Sequence, residues 1–130
     1  MDEAFIKKVQ PNSPEAEQSV IGAMIMDRDA IADVIDIVNA DDFYQKQNGI
    51  LFEAMTELYR EGKPVDLVTL QNKLKKKDVP ESMKSLEFIR DLLEAVPTSA
   101  NAKQYAKIVS EKATLRKLIK VTEDITTECY

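Results

Sequence analysis

The chain has 130 residues, of which 44% are hydrophobic and 32% charged, and its formal net charge is −5. This size suits one globular domain. The net negative charge argues against non-specific electrostatic binding of nucleic acid by this chain. The sequence contains no His and one Cys, so an intrachain disulfide and an ordinary zinc site are excluded. No apolar stretch is long enough to span a bilayer and no signal peptide is evident, so we expect a cytoplasmic protein without a membrane partner.

Helix-forming residues dominate the sequence. It has only three Gly and five Pro, and the stretches between them are rich in Ala, Leu, Ile, Met, Glu and Lys. No alternation of apolar and polar residues persists long enough to predict a sheet. We therefore predict an all-α fold, a compact bundle of about five helices plus a long C-terminal helix. The predicted segments are a flexible leader over 1–12, a globular helical domain over 13–96 and the long helix over 97–130.

The first helix has a clear start signal. Ser13 suits the N-cap, Pro14 suits the first helical position, and Glu15 lies near the positive end of the helix dipole. Apolar residues then recur at helical spacing up to residue 26. The pattern predicts a helix over about residues 14–26.

Asp27 or Asp29 is predicted to cap a second helix, which a short turn over residues 39–44 follows. Acidic side chains in that turn can accept hydrogen bonds from backbone N–H groups. Its two aromatic residues, Phe43 and Tyr44, are predicted to fill the core.

Three further helices follow at short intervals. The third is predicted over about residues 48–61 and stops at Gly62, which suits the position after a helix end. Asp66 is predicted to cap the fourth helix, and Ser82 or Ser85 to open the fifth. Short connections of this kind are typical of a helical bundle.

The long helix is predicted from Pro97 to Tyr130, with Thr98 or Ser99 as its cap, and its apolar face changes side along its length. At about 100° per residue, the first half places one group of apolar residues on a single half-cylinder: Ala102, Tyr105, Ala106, Ile108, Val109, Ala113 and Leu115. In the second half, Ile119 remains on the first side. The other apolar residues lie on the side that Lys103 and Lys107 occupy in the first half: Leu118, Val121 and Ile125.

A helix packed on one core has no reason to change its apolar face. The pattern favours a first half that packs on this chain's own domain and a second half that packs on something else. An alternative is a helix whose end bends around a larger core. Because no stop signal precedes Tyr130, we expect a longer parent protein, in which the second apolar side meets a neighbour.

No motif predicts catalysis in these residues. The glycines at positions 22, 49 and 62 lie far apart and form no phosphate-binding loop, so we expect no ATP hydrolysis, bound cofactor or metal. Nucleophilic catalysis normally needs His, which is absent. Asp41 and Asp42 could act as paired carboxylates, but an enzyme built on them lacks a second catalytic group, and we interpret them as turn caps.

Three stretches together resemble bacterial replicative DNA helicases of the DnaB type. The sequence SPEAEQSVIG at 13–22 is similar to the opening helix of that family. DDFY at 41–44 and GKPVDLVTL at 62–70 are similar to its middle, and VPTSAN at 96–101, with the residues up to 119, to its later part. One stretch departs, because the family usually carries a Gly-Gly-aromatic turn where residues 83–85 stand here.

The resemblance implies the non-catalytic N-terminal domain of a hexameric, ATP-driven helicase that unwinds duplex DNA at the replication fork. The motor, with its ATP and Mg²⁺ sites, would lie C-terminal to Tyr130, and DNA would be bound only by the full-length ring. The long helix would be the first half of a helical hairpin that pairs between subunits. The resulting collar would dock primase and take part in contacts with a helicase loader.

Candidate contact residues follow from the resemblance and the periodicity together. The candidates for partner binding and self-association are Arg116, Leu118, Ile119, Val121, Ile125, Phe88 and Glu15. The alternative family is the helicase-binding C-terminal domain of a primase, which has a similar fold. The opening at residues 13–22 and the stretch at 64–70 favour the helicase.

Overall fold

The computed structural model describes residues 9–94 and 101–130, and within these ranges the regular secondary structure is entirely helical. The helices are α1 (Pro14–Met26), α2 (Arg28–Ile35), α3 (Lys46–Arg60), α4 (Leu67–Lys75), α5 (Leu86–Glu94) and α6 (Ala102–Cys129), with short 3₁₀ helices at Ala40–Asp42 and Glu81–Lys84. The all-α prediction of about five helices plus a long C-terminal helix is confirmed.

Local capping signals explain most of the helix starts. Ser13, Asp27, Asp66 and Ser85 each accept a hydrogen bond from a backbone N–H in the following turn, at 2.9–3.2 Å. Gly62 follows α3 with a φ of 74°, a conformation that residues with a side chain rarely adopt. These positions agree with the sequence predictions, although α3 begins two residues earlier than expected.

Two predictions fall on residues outside the described ranges. Most of the predicted leader lies in residues 1–8, and the predicted caps of the long helix, Thr98 and Ser99, lie in residues 95–100. Within the described ranges, α6 has Asn101 as its N-cap, and the Asn101 side chain makes no capping hydrogen bond.

Helix α1 lies at the centre of the fold, where it packs against α2, α3, α5 and α6. The largest fully buried apolar side chains are Ile21, Met24, Ile31, Leu51, Met55, Leu70, Leu74 and Ile89. They come from α1 to α5, so burial of these side chains ties the globular part together. Helix α6 joins this core only through its first half.

A close approach between α3 and the first 3₁₀ helix requires glycine at position 49. A Cβ atom there would lie 2.7 Å from the backbone oxygen of Ala40. We expect Gly49→Ala to destabilise the fold by about 1–3 kcal/mol in urea unfolding, because the backbone must shift. Helix propensity alone would favour Ala by about 1 kcal/mol. The exposed Glu53→Ala in the same helix is the control, and a Gly49→Ala variant as stable as the parent would contradict the expected clash.

Candidate functional site

The first half of α6 packs against α1 and α2. Its buried side chains are Ala102, Ala106, Val109 and Ala113. Spacings of four and three residues place them in one line along the helix, and the small Ala side chains allow close approach. The predicted packing of this half on the chain's own domain is therefore confirmed.

The prediction of the buried face is wrong for one residue, Leu115. It was expected on the buried face, but its side chain is 44% exposed. The buried line is narrower than the predicted half-cylinder, and Leu115 lies about 150° away from its centre around the helix axis.

From Leu115 onwards, α6 carries an exposed apolar surface, which we call the outer stripe. It consists of Leu115, Leu118, Val121 and Ile125, whose exposed fractions are 44%, 55%, 52% and 57%. Spacings of three and four residues make these side chains neighbours on the helix surface. Isolated exposed apolar residues are ordinary, whereas a contiguous row is a candidate binding surface. Within the described residues, this end of α6 does not bend back onto the globular part, because Leu118, Val121 and Ile125 stay exposed.

Ile119 is not part of the outer stripe. It is partly buried and lies about 100° or more away from Leu118 and Val121 around the axis of α6. The candidates Glu15 and Phe88 lie on α1 and α5 of the globular part. Glu15 is exposed in the first turn of α1, whereas Phe88 is partly buried and packs against the core.

The Arg116 guanidinium is turned towards the chain's own domain. Its Nη1 donates to the backbone oxygen of Pro11 at 2.8 Å, and its Nη2 donates to that of Asp42 at 2.7 Å. Its Cζ lies 5.4 Å from the ring centroid of Tyr44, within the range of a cation–π contact. Phe43 is buried as predicted, but Tyr44 is 41% exposed. The prediction that Tyr44 fills the core is wrong, because its ring lies beneath Arg116.

Glu17 has a structural role that the sequence does not predict. The residue is only 2% exposed. Its Oε2 accepts the N–H of Tyr44 at 2.7 Å, while its Oε1 accepts the N–H of Gln45 at 3.1 Å and the Asn48 side-chain amide at 3.0 Å. Gln45 is the N-cap of α3 but supplies no capping side chain, so Glu17 caps α3 from another helix. Its helical spacing with Val20 places Glu17 on the buried face of α1, which indicates its burial but not its partners.

Asp41 and Asp42 lie in the first 3₁₀ helix, where their carboxylates have different surroundings. Asp42 is buried, and its Oδ2 accepts the backbone N–H of Asn39 at 3.0 Å in a capping box, whereas Asp41 is exposed. The interpretation as a turn cap is supported for Asp42, whereas Asp41 lies in the same turn and donates its backbone N–H to Asn39 Oδ1. In the described part of the chain, no group of three or more His, Cys, Asp and Glu side chains could hold a metal ion. None of the described helices has the length and apolar character needed to cross a bilayer.

Comparison with known sequences identifies related proteins. Residues 9–111 match the family model of the DnaB-like helicase N terminal domain. The replicative DNA helicase DnaB of Geobacillus stearothermophilus is 38% identical over 130 residues, which cover 100% of this chain and 29% of that protein. The DnaB of Pasteurella multocida is 37% identical over 122 residues, covering 94% of this chain and 26% of that protein. The chain thus spans less than a third of these relatives.

Solved structures show the same fold. The N-terminal domain of DnaB helicase from Mycobacterium tuberculosis superposes with a TM-score of 0.86 at 36% identity, covering 92% of this chain and 86% of that one. The corresponding domain from Helicobacter pylori, described together with its interactions with primase, gives a TM-score of 0.75 at 24% identity. It covers 88% of this chain and 89% of that chain, and at this identity the likeness concerns the fold alone.

Proposed function

We propose a function for this chain from its family, because it belongs to the DnaB-like helicase N-terminal domains. In this proposal it is the assembly and primase-docking domain of a hexameric replicative helicase. Unwinding of duplex DNA at the fork would be the work of a motor domain that binds ATP and Mg²⁺ outside these 130 residues. DNA would be held by the full-length ring, in the cytoplasm. The domain itself is proposed to be non-catalytic.

The outer stripe is the observation that supports a docking role. Thirteen helical residues follow Arg116, and at 1.5 Å per residue they extend by about 20 Å. Leu118, Val121 and Ile125 lie on this length of helix, each with more than half of its surface exposed. A straight helix that presents a row of apolar side chains can be covered by the groove or helix of another protein.

Charges along the same length favour a protein partner over nucleic acid. Lys117 and Lys120 are near the start of the projecting part, whereas Glu123, Asp124 and Glu128 follow towards its end. Mixed charges beside an apolar row are typical of helix–helix contacts, in which they select partner and orientation. We propose primase as the partner of this surface, with hairpin pairing between subunits and contacts to a helicase loader as further uses of the collar.

Two measurements on the purified chain test the proposed function. Calorimetric titration with primase of the same organism should give saturable binding, and an ATPase assay should give no turnover above the buffer rate, with or without DNA. The expected inactivity follows from the lack of a phosphate-binding loop in this sequence. Absence of saturable primase binding would contradict the docking role, and turnover that copurifies with the chain would contradict the non-catalytic role.

A further inference from the structure

Among the described residues, Arg116 is the last of α6 to donate hydrogen bonds to the globular part, and beyond it Lys117 adds only an exposed ion pair with Asp42. The last buried residue of the helix is Ala113, one turn earlier. Beyond Arg116, every side chain is exposed except that of Ile119, which is partly buried. The direction of the projecting part therefore depends on the contacts made close to this point.

Arg116 binds two separate segments at once. One carbonyl acceptor, on Pro11, precedes α1, and the other, on Asp42, closes the first 3₁₀ helix. Hydrogen bonds from a charged guanidinium are stronger than those between neutral groups, and the planar fork holds two acceptors in a fixed geometry. The Tyr44 ring fixes the guanidinium from a third side.

The segment around Asp42 and Tyr44, which Arg116 contacts, is itself bound by a buried side chain of α1. The buried carboxylate of Glu17 binds the backbone N–H groups of Tyr44 and Gln45. Contacts thus run without a break from α1, through this loop, to α6. A neighbouring ion pair joins Lys117 to Asp42 at 3.5 Å, but the Lys117 side chain is 70% exposed, so the pair contributes little.

We infer that Arg116 is a positioning residue, whose guanidinium sets the direction in which residues 117–129 leave the globular domain. The projecting helix acts as a lever, because a tilt of about 10° at Arg116 moves its tip by about 3 Å over a length of about 20 Å. Arg116 thereby fixes where the outer stripe is presented, through contacts within its own chain. This inference concerns the isolated chain and does not depend on which partner binds.

Distance measurement by pulsed electron spin resonance tests the inference. One spin label is attached to Cys129, the only cysteine of the sequence and an exposed one. The second is attached to Asp33→Cys, an exposed position on α2. We expect Arg116→Ala to broaden the distance distribution about twofold, because the lever amplifies a local loss of contact. Lys117→Ala, the adjacent control, should retain the parental distribution.

A conservative variant keeps the test decisive. Arg116→Lys retains the charge but cannot present the planar fork to both carbonyl oxygens, so we expect an intermediate width. Circular dichroism must show parental helix content before either distribution is compared. If Arg116→Ala fails to fold, the width of the Arg116→Lys distribution alone tests the positioning role. A folded Arg116 variant whose distribution superposes on that of the parent would overturn the positioning role.

Discussion

Glu17→Ala should destabilise the fold by about 3–5 kcal/mol in urea unfolding. The substitution removes the acceptor of three hydrogen bonds, from the N–H groups of Tyr44 and Gln45 and from the Asn48 amide. Glu17 and Asn48 are both only 2% exposed. Solvent therefore cannot readily replace the lost acceptor, and each orphaned donor costs about 1–3 kcal/mol.

Glu15→Ala is the matched control, because Glu15 lies in the same helical turn but is exposed. Its effect should stay within about 0.5 kcal/mol, as for most surface substitutions. Glu17→Gln should fall between the two, since an amide has one acceptor oxygen in place of two. If Glu17→Ala unfolded at the same urea concentration as Glu15→Ala, the proposed cap of α3 would contribute nothing to stability.

Ile125→Asp should weaken primase binding at least about tenfold, or about 1.4 kcal/mol, while leaving the unfolding free energy within about 0.5 kcal/mol of the parent. The Ile125 side chain is 57% exposed, so the folded chain accommodates a carboxylate there at little cost. In a complex that covers the outer stripe, the same carboxylate would be buried without a partner. Calorimetric titration measures the affinity, and urea unfolding measures the stability.

Thr126→Asp controls for the added charge, because it places the same carboxylate one residue away but off the outer stripe. Its effect on affinity should be less than about threefold. Val109→Asp supplies the opposite control, since Val109 is 2% exposed in the half that packs on α1 and α2. That variant should lose several kcal/mol of stability. Comparable losses of stability for Ile125→Asp and Val109→Asp would show that Ile125 belongs to the core.

Local signals explain why the helices could be predicted from sequence. A cap such as Ser13 or Asp66 acts within its own first turn, so the residues that form it are adjacent in the sequence. The change of apolar face along α6 is also readable, because helical periodicity places every residue around one axis. Periodicity separated the side that packs from the outer stripe, although it misplaced Leu115.

Contacts between distant segments explain what the sequence did not reveal. Glu17 reaches residues 27 to 31 positions away, and Arg116 reaches residues 74 and 105 positions away. An acid in a first helical turn usually serves its own helix, so nothing local marks Glu17 as the cap of α3. Arg116 remains a candidate for partner contact, and nothing local in the sequence indicates its hydrogen bonds to Pro11 and Asp42. The close approach of Gly49 to the backbone of Ala40 likewise depends on tertiary packing.

The most direct test of the outer stripe as a protein-binding surface is the methyl NMR spectrum of the labelled chain during titration with primase. The methyl resonances of Leu118, Val121 and Ile125 should shift together and saturably, while that of the buried Val109 should stay in place. Saturable binding without any shift of those three resonances, with changes confined to other surfaces such as that around Phe88, would contradict the assignment of docking to the outer stripe.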